Sequence, residues 1–352
     1  MEIDYLIVGC GLAGIAFAET CLQNNKTILV FDDNSQTSST IAAGLYNPVI
    51  LKRFSGLQDA QSQIVLLNVF YKSIEEKLKI QFDFKIPILR KFFSIEEQNN
   101  WFTASDKPDL TSFLSLDLIK TKYSGIDSPF DFGEVLQTGY VDTALLLKLY
   151  HSYLSEYNLF KNQAFDYNKI RFENDNVFYN NIKTANIVFA EGFGAHSNPF
   201  FNDLPLQGTK GELFIIKAPN LNLDVIVNTS VFILPLGNDF FKVGATYNWT
   251  DKTNSPTEEG KQELIERIKE ILNCDFEIIE HFAGVRPTVK DRKALIGTHF
   301  KYKNLHILNG MGTRGVMLAP TMAKILFESI EFGTAIEMSI NINRFYKKMS
   351  LK

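Results

Sequence analysis

Cysteine and histidine are scarce in this 352-residue chain, with three of the first and five of the second. Cys10, Cys21 and Cys274 stand at no spacing that suits a metal or a redox pair, and the histidines form no ligand pattern. No bound metal is therefore expected, and so few cysteines fit a reducing, cytoplasmic setting. Long hydrophobic runs are absent too: no stretch approaches the roughly 18 apolar residues of a membrane span, so no membrane partner is expected. Positive charge is also in short supply. Lys and Arg number 36 against 40 Asp and Glu, a net charge of −4, which argues against a surface coated for nucleic acid but allows a local basic patch. Glu2 and Asp4 occupy the place where an export signal would be positive, so export is not expected. What remains is ordinary soluble composition, 45% hydrophobic and 22% charged, at a length that suits two domains.

The glycines carry more information than the absences. An apolar run, Ile3–Val8, ends in Gly9-Cys10-Gly11-Leu12-Ala13-Gly14, a helical pattern follows, and a second apolar run from Ile28 closes on Asp32 and Asp33. Gly9 allows a sharp exit from the strand, Gly11 lets a pyrophosphate approach the backbone, and Gly14 lets helix and strand pack closely. The helix N-terminus then offers free N–H groups and a positive dipole end to phosphate. Asp32, 18 positions beyond Gly14, sits where a carboxylate can accept both ribose hydroxyls. A plain glycine-rich turn in an α/β unit would need no acid there, so the pattern points to a dinucleotide.

Periodicity predicts helices over Ala13–Gln23 and Asp59–Leu78, and one after Asp142 as N-cap. Ser255-Pro256-Thr257-Glu258 reads as a capping box with proline in the first turn of a helix reaching Leu272, and a last helix is expected from Pro320 to Phe332. Strands are expected at Ile187–Ala190, Glu212–Lys217, Val231–Leu234, Phe240–Ala245 and Leu305–Leu308. The fold class is therefore α/β with an α+β second domain: a Rossmann-like domain interleaved with a mostly antiparallel substrate-binding sheet domain. The expected division puts residues 1–80, 136–204 and 283–352 in the first domain and 81–135 and 205–282 in the second. Residues 81–135 show no clear period.

Three further segments bear on the ligand. Ser39-Thr40-Ile41-Ala42-Ala43-Gly44-Leu45-Tyr46-Asn47-Pro48 is small and hydroxyl-bearing, suited to a backbone running along a large flat cofactor, although a plain loop reads the same. Ile187–Ala190 leads into Glu191-Gly192-Phe193-Gly194, a strand end of the kind where ligands lie in doubly wound sheets. Asn309-Gly310-Met311-Gly312-Thr313-Arg314-Gly315-Val316 forms a second glycine turn leading to a helix, whose N-terminus would suit the electron-rich edge of an isoalloxazine.

Taken together, the N-terminal glycine turn, Ser39–Gly44, Gly139-Tyr140-Val141-Asp142, Ala190–Gly194, Gly284-Val285-Arg286-Pro287 with Asp291 and Ile296-Gly297, and Gly310–Pro320 resemble the D-amino-acid oxidase superfamily of FAD enzymes. Glycine oxidase and sarcosine oxidase belong to it. Gly44–Pro48, Val243–Tyr247 and Met311–Gly315 are most similar to the FAD oxidase domain of the bifunctional tRNA 5-methylaminomethyl-2-thiouridine biosynthesis proteins. The resemblance implies FAD held by Gly9, Gly11, Leu12, Ala13, Gly14, Asp32, Asp33, Ser39, Thr40, Ala42, Ala43, Gly44, Leu45, Gly192, Gly194, Arg286, Gly310, Gly312, Thr313, Arg314, Gly315 and Val316. Sarcosine oxidases tether the flavin through a cysteine in the C-terminal glycine turn; Gly310–Pro320 has none, so non-covalent FAD is expected.

The resemblance also implies the chemistry: hydride transfer from the C–N carbon of a carboxylate-bearing amine to flavin, with oxygen as electron acceptor. Arg286 would pair the substrate carboxylate, with an arginine satisfying buried carbonyls as the competing role. Arg314 would face the flavin or the substrate, against a solvated loop position. Tyr247 and Phe232 would line the pocket, and Lys242 matches the lysine that helps reduced flavin meet oxygen in sarcosine oxidases, against an exposed strand lysine. No base is implied. The expected partner is a small amine such as glycine, sarcosine or a D-amino acid, or the carboxymethylaminomethyl group of modified tRNA, with Lys52 and Arg53 near the entrance in the second case. The tRNA enzyme's methyltransferase domain is not expected here, and Pro287 stands where that enzyme usually has cysteine. Two other readings stay open here, an NAD-linked dehydrogenase and a non-catalytic flavin-binding protein.

Overall fold

The computed structural model describes residues 1–173 and 176–349. The last residues of the expected first domain, 350–352, lie outside the described residues. Buried apolar runs build a parallel sheet, as expected when both faces are covered. Glu2–Val8 lies between Ile28–Asp32 and Ile182–Phe189, parallel to both, and Phe160–Asn162 extends the sheet beyond Ile28–Asp32. Leu305–Asn309 joins Ile182–Phe189 in parallel, while Asn176–Tyr179 and Ile170–Glu173 add an antiparallel extension. One face is covered by the helices Leu12–Gln23 and Gly315–Phe332, where Tyr5 meets Phe17 edge-on at 5.3 Å between ring centres.

A second eight-stranded sheet runs Glu277–Arg286, Thr209–Lys217, Phe240–Gly244, Phe232–Gly237, Ile226–Asn228, Ile88–Lys91, Phe132–Val135, Leu114–Ile119. Its pairs are antiparallel except Ile226–Asn228 with Ile88–Lys91. Three of its strands come from the stretch that showed no period. That stretch also holds the helix Ile95–Ser105, whose fully buried Trp101 packs against Phe54 and Phe92. These strands are short and separated by long turns, which leaves little room for a period of two.

The helix after Asp142 is present, and the Asp142 carboxylate accepts from the Leu145 N–H at 3.0 Å. Two other helix starts differ from expectation. The helix Glu258–Lys269 is capped by Thr257, whose hydroxyl accepts from the Gly260 N–H at 3.0 Å, so Pro256 lies before the helix. Glu212 fixes that choice by accepting both the N–H and the hydroxyl of Thr257. The last long helix begins at Gly315, not Pro320, and carries the proline inside it. Proline cannot donate to the carbonyl four residues back, which is that of Val316. The buried Tyr71 hydroxyl donates to that same carbonyl at 2.9 Å, so the orphaned acceptor is satisfied from another helix. Replacing Tyr71 by Phe should therefore cost about 1–3 kcal/mol, the range for an unsatisfied buried polar group. Urea titration should show a lower midpoint at unchanged slope; an unchanged midpoint would mean that the carbonyl finds another donor.

Among the described residues no helix is long and apolar enough to cross a membrane.

Candidate functional site

The carboxyl ends of the parallel strands open into a cavity of about 650 Å³ that continues between the two sheets. Gly9, at the end of the first strand, has φ +97°, and a Cβ there would stand 2.5 Å from the Ala190 carbonyl oxygen. At Gly14 a Cβ would overlap the Gly9 carbonyl oxygen, so this glycine is fixed by packing and does not itself line the cavity. Gly11 is the N-cap of the helix Leu12–Gln23 and supplies no side-chain cap. The helix therefore presents its first N–H groups and positive dipole end to the cavity, beside Gly9, Gly11, Leu12 and Ala13. Asp32 closes this end; its carboxylate accepts from the Cys10 N–H and, at 2.6 Å, from the Asn34 N–H. Asp33 also lines the cavity but is exposed, and its carboxylate accepts from the Ser35 N–H at 3.0 Å. None of the three cysteines is part of the lining.

The segment after the second strand supplies Ser39, Ala42, Ala43, Gly44 and Leu45 to the wall, whereas Thr40 is exposed outside it. Gly44 has φ +73°, and any Cβ there would overlap the Val141 carbonyl oxygen. Lys242 is half-buried and also outside the lining. Its ammonium donates to the carbonyl oxygens of Ala42 at 3.0 Å and Ile41 at 3.5 Å, so it secures the back of this segment. Burial pulls its pKa below the usual lysine value, with Asp142 and Glu280 acting against that.

The two later glycine-ended strands are joined directly, because Asn309 donates from Nδ2 to the Gly192 carbonyl at 2.8 Å. Gly192, Gly194, Gly310, Gly312, Thr313, Gly315 and Val316 all line the cavity. The helix Gly315–Phe332 starts here without a side-chain cap, so a second helix N-terminus faces the same space. Arg314 belongs to this turn, is half-buried with a guanidinium pKa lowered by burial, and lies outside the lining.

Arg286 ends the strand Glu277–Arg286 and reaches the cavity wall. Its guanidinium lies over Gly211, where any Cβ would overlap it, and under the Tyr247 ring, 4.6 Å from the ring centre. Its one recorded acceptor is the Thr246 carbonyl at 3.2 Å, and among the described residues no carboxylate pairs with it. Burial lowers its pKa from the ordinary arginine value, with Tyr247 acting the other way. An arginine stays charged through such a shift. A planar cation is thus held flat at a cavity wall with most of its donors free, which suits a bidentate anion. Phe232 lines the same region, as do Asn228, Ser230 and Val231 from the turn before it.

Gln163, Ala164, Phe165, Tyr167 and Glu191 also line the cavity, at the end near Asp32 and Asp33, and sequence patterns did not single them out. Residues 163–166 belong to an irregular turn with no period, and Tyr167 opens the short 3-10 helix Tyr167–Lys169. Glu191 stood within the Ala190–Gly194 motif, and a charged residue between an apolar strand and a glycine was the available signal. Lys52 and Arg53 are exposed and are not among the lining residues. No cluster of three or more His, Cys, Asp or Glu side chains able to hold a metal occurs among the described residues.

A family model described as FAD dependent oxidoreductase, DAO, matches residues 4–329. Glycine oxidase of Bacillus subtilis is 20% identical over 364 residues, spanning 93% of this chain and 92% of that protein. The bifunctional tRNA 5-methylaminomethyl-2-thiouridine biosynthesis protein of Campylobacter jejuni is 27% identical over 143 residues, 40% of this chain and 22% of that protein. The match thus spans about a fifth of the length of that bifunctional relative. The crystal structure of glycine oxidase from Geobacillus kaustophilus superposes with a TM-score of 0.75 at 17% identity, over 96% of this chain and 97% of that one.

Proposed function

The chain belongs to the DAO family of FAD-dependent oxidoreductases, and from that premise we propose that it oxidises the C–N bond of an amine bearing a carboxylate. The observation that carries this reading is Arg286, a cation fixed between Gly211 and the Tyr247 ring at the cavity wall, with no carboxylate among the described residues to pair it. The cavity supports FAD by its chemistry: two uncapped helix N-termini for anionic and electron-rich groups, an acid for the ribose, and walls of glycine where a Cβ would intrude. Bound FAD supplies the hydride acceptor, with dioxygen as the expected final oxidant. Gly9, Gly11–Ala13 and Asp32 would hold its adenosine and pyrophosphate, and Ser39, Ala42–Leu45, Gly310, Gly312, Thr313, Gly315 and Val316 its ring end.

The protein's own task is to position. Arg286 draws the carboxylate to one wall, which places the α-carbon of a short amine in the space between Arg286 and the second glycine turn. Loss of hydride from that carbon leaves an iminium, which water hydrolyses to a carbonyl compound and an amine. No side chain of the lining is needed as a base if the amine enters unprotonated. Lys242 and Arg314 act from behind the wall in this reading, Lys242 by securing the carbonyls of Ile41 and Ala42.

A second reading of the substrate has one feature in its favour. Tyr247, on the cavity wall beside Arg286, is 57% exposed, and Trp249, two residues on in the chain, is 44% exposed. A free amino acid would not need them. A carboxymethylamino arm on a larger body would, and the modified uridine of tRNA is the candidate suggested by the partial match to the tRNA biosynthesis proteins.

One anaerobic experiment tests both. Flavin absorbance should bleach on addition of one member of a set comprising glycine, sarcosine, D-amino acids and tRNA carrying carboxymethylaminomethyluridine. Bleaching by none of them, in protein that holds flavin, would overturn the amine-oxidase reading. If tRNA is the substrate, its binding should weaken steeply with salt, log K dropping by about 0.7–0.9 per log unit of salt for each phosphate contact. Oxidation of a free amino acid should show little such dependence.

A further inference from the structure

The buried acids Glu19, Asp83 and Glu212 are compensated by cations, and Glu191, half-buried on the cavity wall, departs from that pattern. Glu19 takes Lys77 at 2.6 Å, Asp83 takes Lys85 at 2.7 Å, and Glu212 has Lys210 at 3.5 Å. Glu191 has no such partner among the described residues. Its carboxylate accepts from the Tyr167 hydroxyl and, at 2.7 Å, from Asn198 Nδ2, both neutral donors. Asn198 is fully buried and Tyr167 shares the cavity wall, so both contacts are built into the site.

The charged groups near Glu191 are of its own sign. Asp33, from the end of the second strand, adds like charge, and Asp32 precedes it on the same wall. His196, on the turn that follows Glu191, directs Nδ1 to the Phe193 carbonyl at 2.7 Å and Nε2 to Ser197 at 3.1 Å, and is exposed. Tyr167 is the remaining titratable neighbour, and burial together with Glu191 holds it protonated. Burial pushes the Glu191 carboxyl up to about 7, with Tyr167 and Asn198 pulling it down and Asp33 pushing it further up.

We propose that Glu191 belongs to the FAD site, that its neutral form is the one that accommodates the cofactor, and that its ionisation loosens FAD. The argument rests on FAD binding and not on which amine is oxidised. A bound dinucleotide would cover the cavity face of Glu191 and bring a pyrophosphate of two negative charges to the glycine turn next to it. Lost water and added negative charge both favour the neutral acid. By linkage, FAD then binds together with a proton wherever free Glu191 is ionised, so affinity falls as pH rises through that range. Below it, both states are already protonated and affinity is flat. The neutral acid also becomes a donor: its O–H can turn to Tyr167 Oη, which frees the tyrosine proton for an acceptor in the cavity.

The test is FAD release on dilution of the holoprotein, followed by flavin fluorescence between pH 5.5 and about pH 8.5. The apparent Kd should be constant at the acid end and should rise toward a limit of about tenfold across the upper half of the range, the effect of a one-unit difference between free and bound protein. Glu191→Gln should give a flat profile. Tyr167→Phe removes a donor that favours the ionised acid, so the rise should move to higher pH. A flat profile in the wild-type protein, or an unchanged slope in Glu191→Gln, would overturn the proposal. Should Glu191→Gln not fold, a Tyr167→Phe profile superimposable on wild type would do the same. Protein that neither carries nor takes up flavin would overturn the FAD site itself, a failure plainly different from a flat curve.

Discussion

Replacing Arg286 by Ala is expected to leave flavin content nearly intact and to collapse kcat/KM for carboxylate-bearing amines. Removing one partner of a buried, hydrogen-bonded charge pair costs about 3–5 kcal/mol, on the order of 10² to 10⁴ in rate. The structure makes this variant informative because the guanidinium has so little to do without a ligand: one bond to the Thr246 carbonyl, a stack on Tyr247 and a seat on Gly211. Arg286→Lys keeps the charge but loses the planar fork, so it should recover only part of the loss. Amines without a carboxylate give the internal control, since they should be poor substrates for both proteins. Near-normal turnover in Arg286→Ala would end the carboxylate-clamp hypothesis. Loss of flavin from the variant would instead assign Arg286 to holding the wall.

Much of this site was legible because its requirements are written in residue types that have few other uses. Gly9 and Gly44 adopt positive φ, and Cβ atoms at Gly14 and Gly44 would overlap backbone oxygens, so those positions admit only glycine for reasons of space. The cavity-lining glycines of all three turns then converge because parallel strands end on one side of their sheet. Asp32 was legible for a related reason, as the acid that ends the second strand.

What the sequence did not disclose depends on partners distant in the chain. Lys242 could be read as a catalytic or an exposed lysine because nothing local shows that its ammonium meets the carbonyls of Ile41 and Ala42, two hundred residues earlier. Pro320 marked a helix start by the usual rule, and the rule failed because Tyr71 takes over the acceptor that proline leaves free. The Thr257 cap was obscured in the same way by Glu212. Local propensity sets what a segment prefers, and a single long-range hydrogen bond decides between neighbouring choices.

Asp32→Ala should weaken FAD binding by on the order of 10² or more, since each hydrogen bond to a charged acceptor contributes about 1.5–3 kcal/mol and a ribose offers two. Asp33→Ala should weaken it by less than about tenfold, as expected for an exposed charge in high dielectric. The two acids are adjacent and both line the cavity, so their difference lies in what surrounds them. Asp32 is part of the glycine turn through the Cys10 N–H, which fixes its carboxylate beside the helix N-terminus. Asp33 is tied to the Ser35 N–H in an exposed turn and has no contact with the glycine turn among its recorded bonds. The loss in Asp32→Ala has two sources, the missing ribose contact and a slackened turn, and Asp32→Asn separates them. The amide oxygen can still accept from Cys10, while the bond from the exposed Asn34 N–H is given up and the ribose meets a weaker acceptor, so the variant should keep most of the melting temperature of flavin-free protein while still losing affinity for FAD. Flavin fluorescence on dilution gives the affinities, and calorimetry of the flavin-free proteins gives the fold. Equal losses in Asp32→Ala and Asp33→Ala would mean that the ribose lies against the turn after the strand, not at its end.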